Sequence, residues 1–330
     1  MSFRVHIEPS HHEFEVHDCE TLLEAGLRAG LNLPFSCGNG SCGECRARLI
    51  DGLIEPIRHA DFRFPPLERQ QGWFLMCANT AASDLRIEAH EVSEAVEIPS
   101  QRVTAKVHKL ERLQDEVAIL HLRLPRTQPF RFLAGQCASL RFDGQPEVTL
   151  PIASCPCHGL DLAFHVRRRE GDTFSHFVFD KARRGQKVRI EGPTGDFTLH
   201  EDNGCARLFI AWETGFAPIQ SLIEHVIAEG NDEPLCLYWL SAIPNGHYLS
   251  NYCRSWRDAF DEFHYESVDL KPVGNEDWRE AIQRIIAERP RLACLDVYVT
   301  APTGEAAWTR ESFLAAGVAE ERFSLFSMEE

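Results

Sequence analysis

The sequence lacks any apolar run long enough to span a bilayer, and its first residues, MSFRVHIEPS, show neither the basic start nor the apolar stretch of a signal peptide. Positive charge is also scarce: 34 lysines and arginines stand against 50 aspartates and glutamates, for a formal net charge of -16. Direct binding to nucleic acid or to an anionic membrane needs a basic face, so neither is expected. An acidic protein can still dock on a basic patch of another protein.

Cysteine, by contrast, is abundant. The chain has twelve cysteines and no secretory signal, which predicts a protein of the reducing cytoplasm whose clustered cysteines bind a metal or cluster instead of forming disulfides. With 330 residues, of which 44% are hydrophobic, the chain is long enough for two or three domains, each with its own core.

Three of the cysteines lie in one glycine-rich loop, SCGNGSCGECR. Cys37, Cys42 and Cys45 have the spacing C-x4-C-x2-C, and Cys77 follows in GWFLMCAN; this is the ligand spacing of a plant-type [2Fe-2S] ferredoxin. Such a cluster needs four thiolates and a tight loop whose amides point at the sulfurs. The glycines that permit this loop are Gly38, Gly40 and Gly43.

A zinc site is the alternative, since C-x2-C is common to both kinds of site. Zinc ligands usually come in two separate pairs, whereas here one loop holds three cysteines, which favours the cluster. The other eight cysteines, such as Cys19, Cys205 and Cys236, are interpreted as small core residues. The pair in CPC, Cys155 and Cys157, is either of that kind or redox-active.

The remaining chain divides by its patterns. Residues 88–102, EAHEVSEAVEIPSQR, are charged and weakly patterned, which predicts a linker. Short alternating segments follow, from RVTAKVHKL to KVRIEG, with one short helix, TFSHFVFDKA; such closely spaced strands predict a small antiparallel barrel. From about residue 205, strands such as ARLFIAW alternate with helices such as DWREAIQRIIAERP, which predicts a parallel sheet covered on both faces.

This order of cysteine loop, barrel and α/β lobe resembles the iron–sulfur flavoprotein reductases of the ferredoxin-NADP reductase superfamily, above all the CDP-6-deoxy-glucoseen reductases and the reductase components of ring-hydroxylating oxygenases. The resemblance covers nearly the whole chain and implies a multidomain α+β and α/β protein. Its domains would be a β-grasp [2Fe-2S] ferredoxin domain (1–95), an antiparallel FAD-binding β-barrel (100–203) and a parallel α/β domain of NAD(P)-binding type (204–330). In such proteins NAD(P)H gives a hydride to FAD, and single electrons then pass through the cluster to a partner protein.

The family's flavin motif, R-x-Y-S-[IL]-A-[SN], corresponds to VTLPIAS in this chain. The resemblance assigns FAD contacts to the three residues that are kept, Ile152, Ala153 and Ser154. The residues that would bind the diphosphate, stack on the flavin and donate to flavin N5 are replaced by Val148, Leu150 and Pro151. Proline has no amide hydrogen either, so that donor is lost with the hydroxyl.

A second flavin element, HVRRREGDTFSHF, is better preserved. The resemblance places FAD contacts at His165, Val166 and Arg167 and at a helix N-terminus suited to a diphosphate, formed by Thr173, Phe174 and Ser175. Residues 167–169, all arginine, could supply the charge lost at position 148. Phe326 is either an aromatic cover for the flavin ring or part of an edge strand. We expect the barrel to hold FAD; a barrel that binds nothing is the alternative.

The nicotinamide lobe departs further from the family, whose loop G-G-T-G-x-x-P corresponds to WETGFAP. Trp212 and Glu213 replace the first two glycines, and a carboxylate beside a diphosphate can cost several kcal/mol. We therefore expect weak or no NAD(P)H binding, with Trp212 filling the vacated space and Glu213 capping the following helix. Three residues of the family loop are kept: Thr214, Gly215 and Pro218. Later in the chain, the family's Cys-Gly pair is replaced by Thr300 and Ala301.

Three functions remain open, and no catalytic residue is assigned. The first is an NAD(P)H-dependent reductase that feeds an oxygenase or a sugar dehydrase. The second, favoured by the intact cysteine loop and the broken nucleotide loop, is a redox-responsive electron-transfer or regulatory protein. It would exchange electrons with a ferredoxin and act through protein contacts on a transcription regulator of a catabolic pathway. The third is an assembly subunit with vestigial centres, against which the intact cysteine loop counts.

Overall fold

The computed structural model describes most of the chain, and the predicted linker at 88–102 and the prediction for Cys19 lie partly or wholly outside the described part. None of the helices in that part combines the length and the apolarity needed to cross a membrane. The described residues are 2–17, 20–31, 33–35, 37–91, 98, 100–113, 116–125, 128, 130–200, 204–230, 233–289 and 291–329.

The N-terminal domain is a mixed five-stranded sheet crossed by one helix. Its strands are β1 (Ser2–Glu8), β2 (Glu13–His17), β3 (Arg46–Asp51), β5 (Trp73–Leu75) and β7 (Leu85–Glu88), and β4 (Ile54–Pro56) pairs separately with β6 (Asn79–Ala81). The order is β2-β1-β7-β3-β5, with β1 and β7 parallel and the other pairs antiparallel.

Helix α1 (Leu22–Arg28) starts at a capping box. The Thr21 hydroxyl accepts a hydrogen bond from the Glu24 amide, and the Glu24 carboxylate accepts one from the Thr21 amide. Its buried face packs on this sheet, while α2 (Pro66–Gln70) is a short surface turn. The arrangement confirms the predicted β-grasp domain.

The second domain is a six-stranded antiparallel sheet closed into a barrel. Its order is β11-β10-β13-β8-β9-β12. The edge strands meet where the Ala153 amide donates to the Ala163 carbonyl at 2.8 Å, so the predicted barrel is confirmed. The elements are β8 (Gln101–Leu113), β9 (Val117–Arg123), β10 (Cys137–Phe142), β11 (Val148–Pro151), β12 (Asp161–Arg167), α3 (Thr173–Asp180) and β13 (Lys187–Thr194).

The C-terminal domain is a parallel five-stranded sheet with order β16-β15-β14-β17-β18, as predicted. Alternate residues of its central strand enter different cores, Leu208 on the face covered by α6 and α7, and Phe209 on the face covered by α4 and α5. The elements are β14 (Arg207–Trp212), α4 (Phe216–Ala228), β15 (Leu235–Ser241), α5 (Ser250–Ala259), β16 (Phe263–Asp269), α6 (Trp278–Ala287), β17 (Asp296–Pro302), α7 (Ala306–Ala315) and β18 (Phe323–Met328).

The N-terminal domain contacts both other domains. The turn after α1 approaches the last residues of α4: a Cβ built on Gly30, whose φ is +90°, would lie 3.4 Å from the Ala228 backbone. On the barrel side, the Arg131 guanidinium donates to the Phe35 carbonyl at 2.8 Å and lies 5.5 Å from the centre of the Phe35 ring. Helix α4 is therefore a point at which the first and third domains meet.

Candidate functional site

The cysteine loop lies between α1 and β3 and owes its shape to glycine. Gly40 and Gly43 both have a φ of +84°, which other residues rarely adopt. A Cβ on Gly43 would also come within 2.4 Å of the Phe62 ring, so a side chain has no room there. The Phe62 amide donates to the Gly40 carbonyl at 2.9 Å and fixes the loop against the segment beneath it.

The four thiols are grouped as two pairs. All four are free thiols; the Cys37 side chain interacts with that of Cys42, and the Cys45 side chain with that of Cys77. Within the described residues, none of these sulfurs belongs to a set of three donor atoms lying within 4.8 Å of one another. A tetrahedral zinc site with Zn–S bonds near 2.3 Å would bring all its sulfurs to about 3.8 Å apart. Two pairs instead suit two irons, so the residues fit a [2Fe-2S] cluster.

Backbone amides surround the outer pair of thiols. The Cys37 sulfur accepts hydrogen bonds from the Ser41 and Cys42 amides at 3.3 and 3.4 Å, and the Cys42 sulfur accepts one from the Glu44 amide at 3.5 Å. Burial raises the pKa of Cys37, but hydrogen bonds from Ser41, Asn39 and Cys42 bring it down to about 6. Amides aimed at sulfur favour the thiolate that iron requires.

The pairs differ in exposure. Cys45 and Cys77 are each 1% exposed, whereas Cys37 and Cys42 are half-buried beneath an exposed rim. One side of the site therefore lies close to solvent, where a partner could approach. The rim residues are Asn39, Ser41 and Glu44.

The other cysteines only partly match the prediction of small core residues. Cys236 is buried, as predicted, but Cys205 is half-buried and Cys294 is exposed. Cys155 and Cys157 are joined by a disulfide, so the expectation that the cysteines would not form disulfides is wrong for this pair. That expectation was based on the cellular compartment. It did not consider that a single turn brings the two sulfurs of this pair together.

The end of the flavin motif that matches the family pattern, residues 152–154, closes the barrel. The Ile152 amide donates to the Gln136 carbonyl at 2.9 Å, and the Ser154 hydroxyl accepts from the Ala163 amide at 3.2 Å. Together with Ala153, these residues are buried and bonded within the protein. Leu150 lies against the barrel core. The part of the motif that this chain retains therefore holds the barrel together.

The three predicted residues of β12 have different surroundings. His165 is 4% exposed; its Nδ1 lies 2.8 Å from the Tyr248 hydroxyl, and its buried Nε2 has no hydrogen-bond partner among the described residues. Burial lowers the pKa of His165 to about 3, so the ring is neutral. Val166 belongs to the barrel core. Arg167 reaches into the third domain, where it forms an ion pair with Glu213.

The helix N-terminus predicted to bind a diphosphate is capped by the protein itself. The Asp172 carboxylate accepts from the amides of Phe174 and Ser175, both at 3.1 Å, and the Ser175 hydroxyl donates to the Asp172 carbonyl at 3.1 Å. Thr173 opens the helix without a role in this cap. A diphosphate here would have to displace Asp172, and Arg167 would have to leave Glu213. Binding of FAD at this point therefore requires both side chains to change their partners.

Phe326 lies on edge strand β18 and packs against Phe197, with ring centres 5.8 Å apart. It joins the apolar cluster that includes Phe209, which agrees with the edge-strand interpretation.

The sequence prediction missed two residues of this region. Asp172 had a readable signal, because an aspartate immediately before a short apolar helix is a typical N-cap. Tyr248 had none, since it is 83 residues from His165 along the chain.

The nucleotide-type loop after β14 is buried. Glu213, Thr214 and Gly215 form a short 3-10 turn, and a Cβ on Gly215 would come within 2.4 Å of the Thr300 hydroxyl. That hydroxyl accepts from the Trp212 amide at 2.9 Å. The later pair, Thr300 and Ala301, is itself fully buried, and Pro218 is buried as well.

Trp212 fills apolar space, as predicted: it is 7% exposed and lies in the core beneath α6 and α7. The prediction that Glu213 caps the helix is wrong, because in the described part of the chain no side chain caps α4, whose N-cap is Gly215. Glu213 has a φ of +47°, which turns its carboxylate toward Arg167 of the barrel, and its own carbonyl accepts from the Trp239 indole at 3.0 Å. Burial raises the pKa of Glu213, and Arg167 opposes that shift.

Replacing Trp212 by glycine is expected to lower the free energy of unfolding by about 3–5 kcal/mol, because it empties a well-packed core site. Trp212→Phe, which keeps most of the volume, should cost less than about 1.5 kcal/mol. Urea unfolding of both variants measures this. Equal, small losses would mean that Trp212 is not a core residue.

Family models match the first two domains. Residues 5–82 match the 2Fe-2S iron-sulfur cluster binding domain, and residues 104–199 match the oxidoreductase FAD-binding domain. Both matches fall inside the domains proposed for the chain, whose boundaries stay predictions. By this membership the cofactors of the chain are a [2Fe-2S] cluster and FAD.

Curated relatives match over most of the chain. A CDP-6-deoxy-L-threo-D-glycero-4-hexulose-3-dehydrase reductase of Yersinia pestis is 30% identical, covering 98% of this chain and 97% of the relative. Reductase component 1 of a terephthalate 1,2-dioxygenase of Comamonas is 32% identical, covering 83% and 81%. Among solved structures, an Amycolatopsis cytochrome P450 reductase has a TM-score of 0.64 at 22% identity, covering 99% of both chains, and shows a shared fold.

Proposed function

This chain belongs to the iron–sulfur flavoprotein reductases, and we propose that it is the electron-transfer component of a multiprotein system, delivering single electrons to an oxygenase or a dehydrase. The observation that carries the proposal is the pairing of four thiols under a half-exposed loop. The relatives named as reductase components of a dioxygenase and of a dehydrase support the same class of partner.

The chain's own residues prepare the cysteine site for this role. When bound, a plant-type [2Fe-2S] cluster exchanges one electron at a time at about -400 mV. The amides of Ser41, Cys42 and Glu44 direct positive dipoles at the outer sulfurs, which favours the added negative charge of a reduced centre. The buried pair, Cys45 and Cys77, keeps water from the inner side. FAD, when bound, supplies hydride chemistry.

A second candidate differs in the electron donor. Glu213 is buried at the carboxyl end of β14, where dinucleotides bind in open α/β sheets, and it is paired with Arg167 of the barrel. This favours a donor other than NAD(P)H, such as a ferredoxin. The role as a redox sensor acting on a transcription regulator stays a prediction from the sequence.

An anaerobic titration with NADH, then NADPH, then dithionite, followed in the visible spectrum, tests the donor. We expect dithionite to reduce the protein fully and the nucleotides to reduce it slowly. Glu213→Gly removes the carboxylate and suits a φ of +47°, so it should speed reduction by NADH about tenfold or more if like charge is the obstacle. Flavin content is measured in both proteins.

Rapid bleaching of the unmodified protein by either nucleotide would reject the second candidate and leave the main proposal intact. The main proposal has its own test. The dithionite-reduced protein should reduce cytochrome c, a one-electron acceptor. A variant whose cysteine site is removed, such as Cys42→Ser, should fail to do so. A protein that transfers no electrons while carrying its full iron content would contradict it.

A further inference from the structure

The segment CPC, residues 155–157, follows directly on the end of the flavin motif and plays no part in the proposed electron transfer. Its two cysteines are joined by a disulfide across Pro156. The Cys157 amide donates to the Cys155 sulfur at 3.2 Å, so the pair forms one tight turn. The two sulfurs differ in access: Cys155 is 1% exposed, whereas Cys157 is half-buried.

Helix α4 of the third domain holds one side of this turn. The Ser221 hydroxyl donates to the Ser154 carbonyl at 2.8 Å, and the Cys155 amide donates to the Glu224 carboxylate at 3.3 Å. The Cys155 sulfur also lies 3.8 Å from Nδ1 of His225, which is 3% exposed. Three successive contacts therefore fix the cysteine pair to the helix that follows the nucleotide-type loop.

The cluster domain lies against the other side of the turn. Pro156 and Gly159 line an apolar pocket together with Leu27 at the end of α1 and with Phe35. Phe35 precedes the cluster ligand Cys37 by two residues and is held to the barrel by Arg131. The CPC turn thus sits where all three domains meet, beside the segment that leads into the cysteine loop.

We propose that Cys155 and Cys157 are a dithiol–disulfide redox site that controls how firmly the cluster domain is seated on the other two domains. The reductant is a dithiol, on a protein or a small molecule. Its thiolate attacks the accessible Cys157 sulfur, the S–S bond breaks, and the electron pair leaves on the Cys155 sulfur, which takes up a proton. The reductant's second thiol attacks the mixed disulfide and releases Cys157 as a thiol. The site gains two electrons and two protons, and the reductant becomes a disulfide.

His225 is placed to stabilise the reduced state. Burial lowers the pKa of His225 to about 4, so its ring is neutral, and its Nε2 faces the Glu229 carboxylate at 3.5 Å. With the ring proton on Nε2, Nδ1 accepts the hydrogen of the new Cys155 thiol. Cys157 is the more accessible of the two sulfurs, and once released it no longer ties Pro156 against α1. Reduction therefore loosens the contact between the turn and the cluster domain.

Peptide mass spectrometry tests the redox site directly. Trypsin releases residues 142–167 as one peptide, whose only cysteines are Cys155 and Cys157. From protein alkylated after air oxidation, this peptide should lack both labels and be lighter by two hydrogens than the dithiol form. Treating the native protein with dithiothreitol first should give two labels. Two labels without dithiothreitol, or none after it, would overturn the site.

Hydrogen exchange tests the consequence for docking. Dithiothreitol should speed amide exchange in residues 22–28 of α1 while α6, in the third domain, stays unchanged. Cys157→Ser should exchange fast in α1 with or without reductant, and Cys294→Ser, at an exposed free cysteine, should behave as the unmodified protein. The visible spectrum records that the cluster survives the treatment. Unchanged exchange in α1 of the unmodified protein would overturn the docking role even if the disulfide opens.

Discussion

Cys42→Ser should yield a protein that has lost most of its iron, its visible cluster absorbance and its ability to reduce cytochrome c. The substitution removes one thiol of the outer pair. A serine hydroxyl is far less acidic than a cysteine thiol, and its oxygen is a harder donor than the thiolate sulfur that iron prefers. The amide of residue 42 still donates to Cys37, so the loop itself is expected to keep its path. Iron analysis and electron paramagnetic resonance of the dithionite-reduced protein measure the loss.

Cys294→Ser is the matched control, because Cys294 is an exposed free cysteine outside the loop. Its iron content should equal that of the unmodified protein. Circular dichroism of both variants separates loss of the cluster from loss of the fold. Full iron content in Cys42→Ser would contradict the assignment of the ligands.

Arg167→Ala should lower the free energy of unfolding by about 3 kcal/mol, since it leaves a buried carboxylate without its counter-charge. The Glu213 side chain is 5% exposed and that of Arg167 is 22% exposed, so the carboxylate carries the larger desolvation cost. Arg168→Ala is the control: its pair with Asp180 is close to half-exposed and should contribute less than about 1 kcal/mol. Glu213→Gln, which removes the buried charge, should cost less than Arg167→Ala.

The loss in Arg167→Ala should depend on pH. Burial already raises the pKa of Glu213, and removing Arg167 deletes the largest influence that lowers it. When the pKa of Glu213 is higher in the folded protein than in the unfolded chain, folding is penalised at pH values above the folded-state pKa. The destabilisation is therefore full near neutral pH and shrinks as the pH falls. Urea unfolding at neutral and at mildly acidic pH measures the difference; a loss that grows with acidity would exclude this explanation.

Local features of this protein were predictable from its sequence. The assignment of the cysteines to the cluster follows from spacing alone, since Cys37, Cys42 and Cys45 share one loop, and it stays a prediction. The sheets of the second and third domains follow from strand patterns and from the switch to alternating strands and helices near residue 205. The β-grasp domain came from family resemblance.

Contacts distant along the chain were not predictable. Arg167 was assigned to a diphosphate because its segment, HVRRREG, resembles the family's flavin element; its partner, Glu213, is 46 residues away along the chain. Glu213 was likewise assigned to its own helix, since an acidic residue there usually serves the helix dipole. Its positive φ, which directs it elsewhere, is set by tertiary packing.

The contact between Gly30 and the end of α4 bears on how freely the domains of this protein can be exchanged. Reductases of this type are natural candidates for chimeras in which one ferredoxin module replaces another. Here the module approaches Ala228 through Gly30, whose φ of +90° disfavours any residue with a side chain, and it shares the CPC turn with its neighbours. A transplanted module would need a glycine at that position and an apolar match to Pro156. Without both, the transplanted ferredoxin domain would be joined to the other two domains by the chain but would not dock on them as one electron-transfer unit.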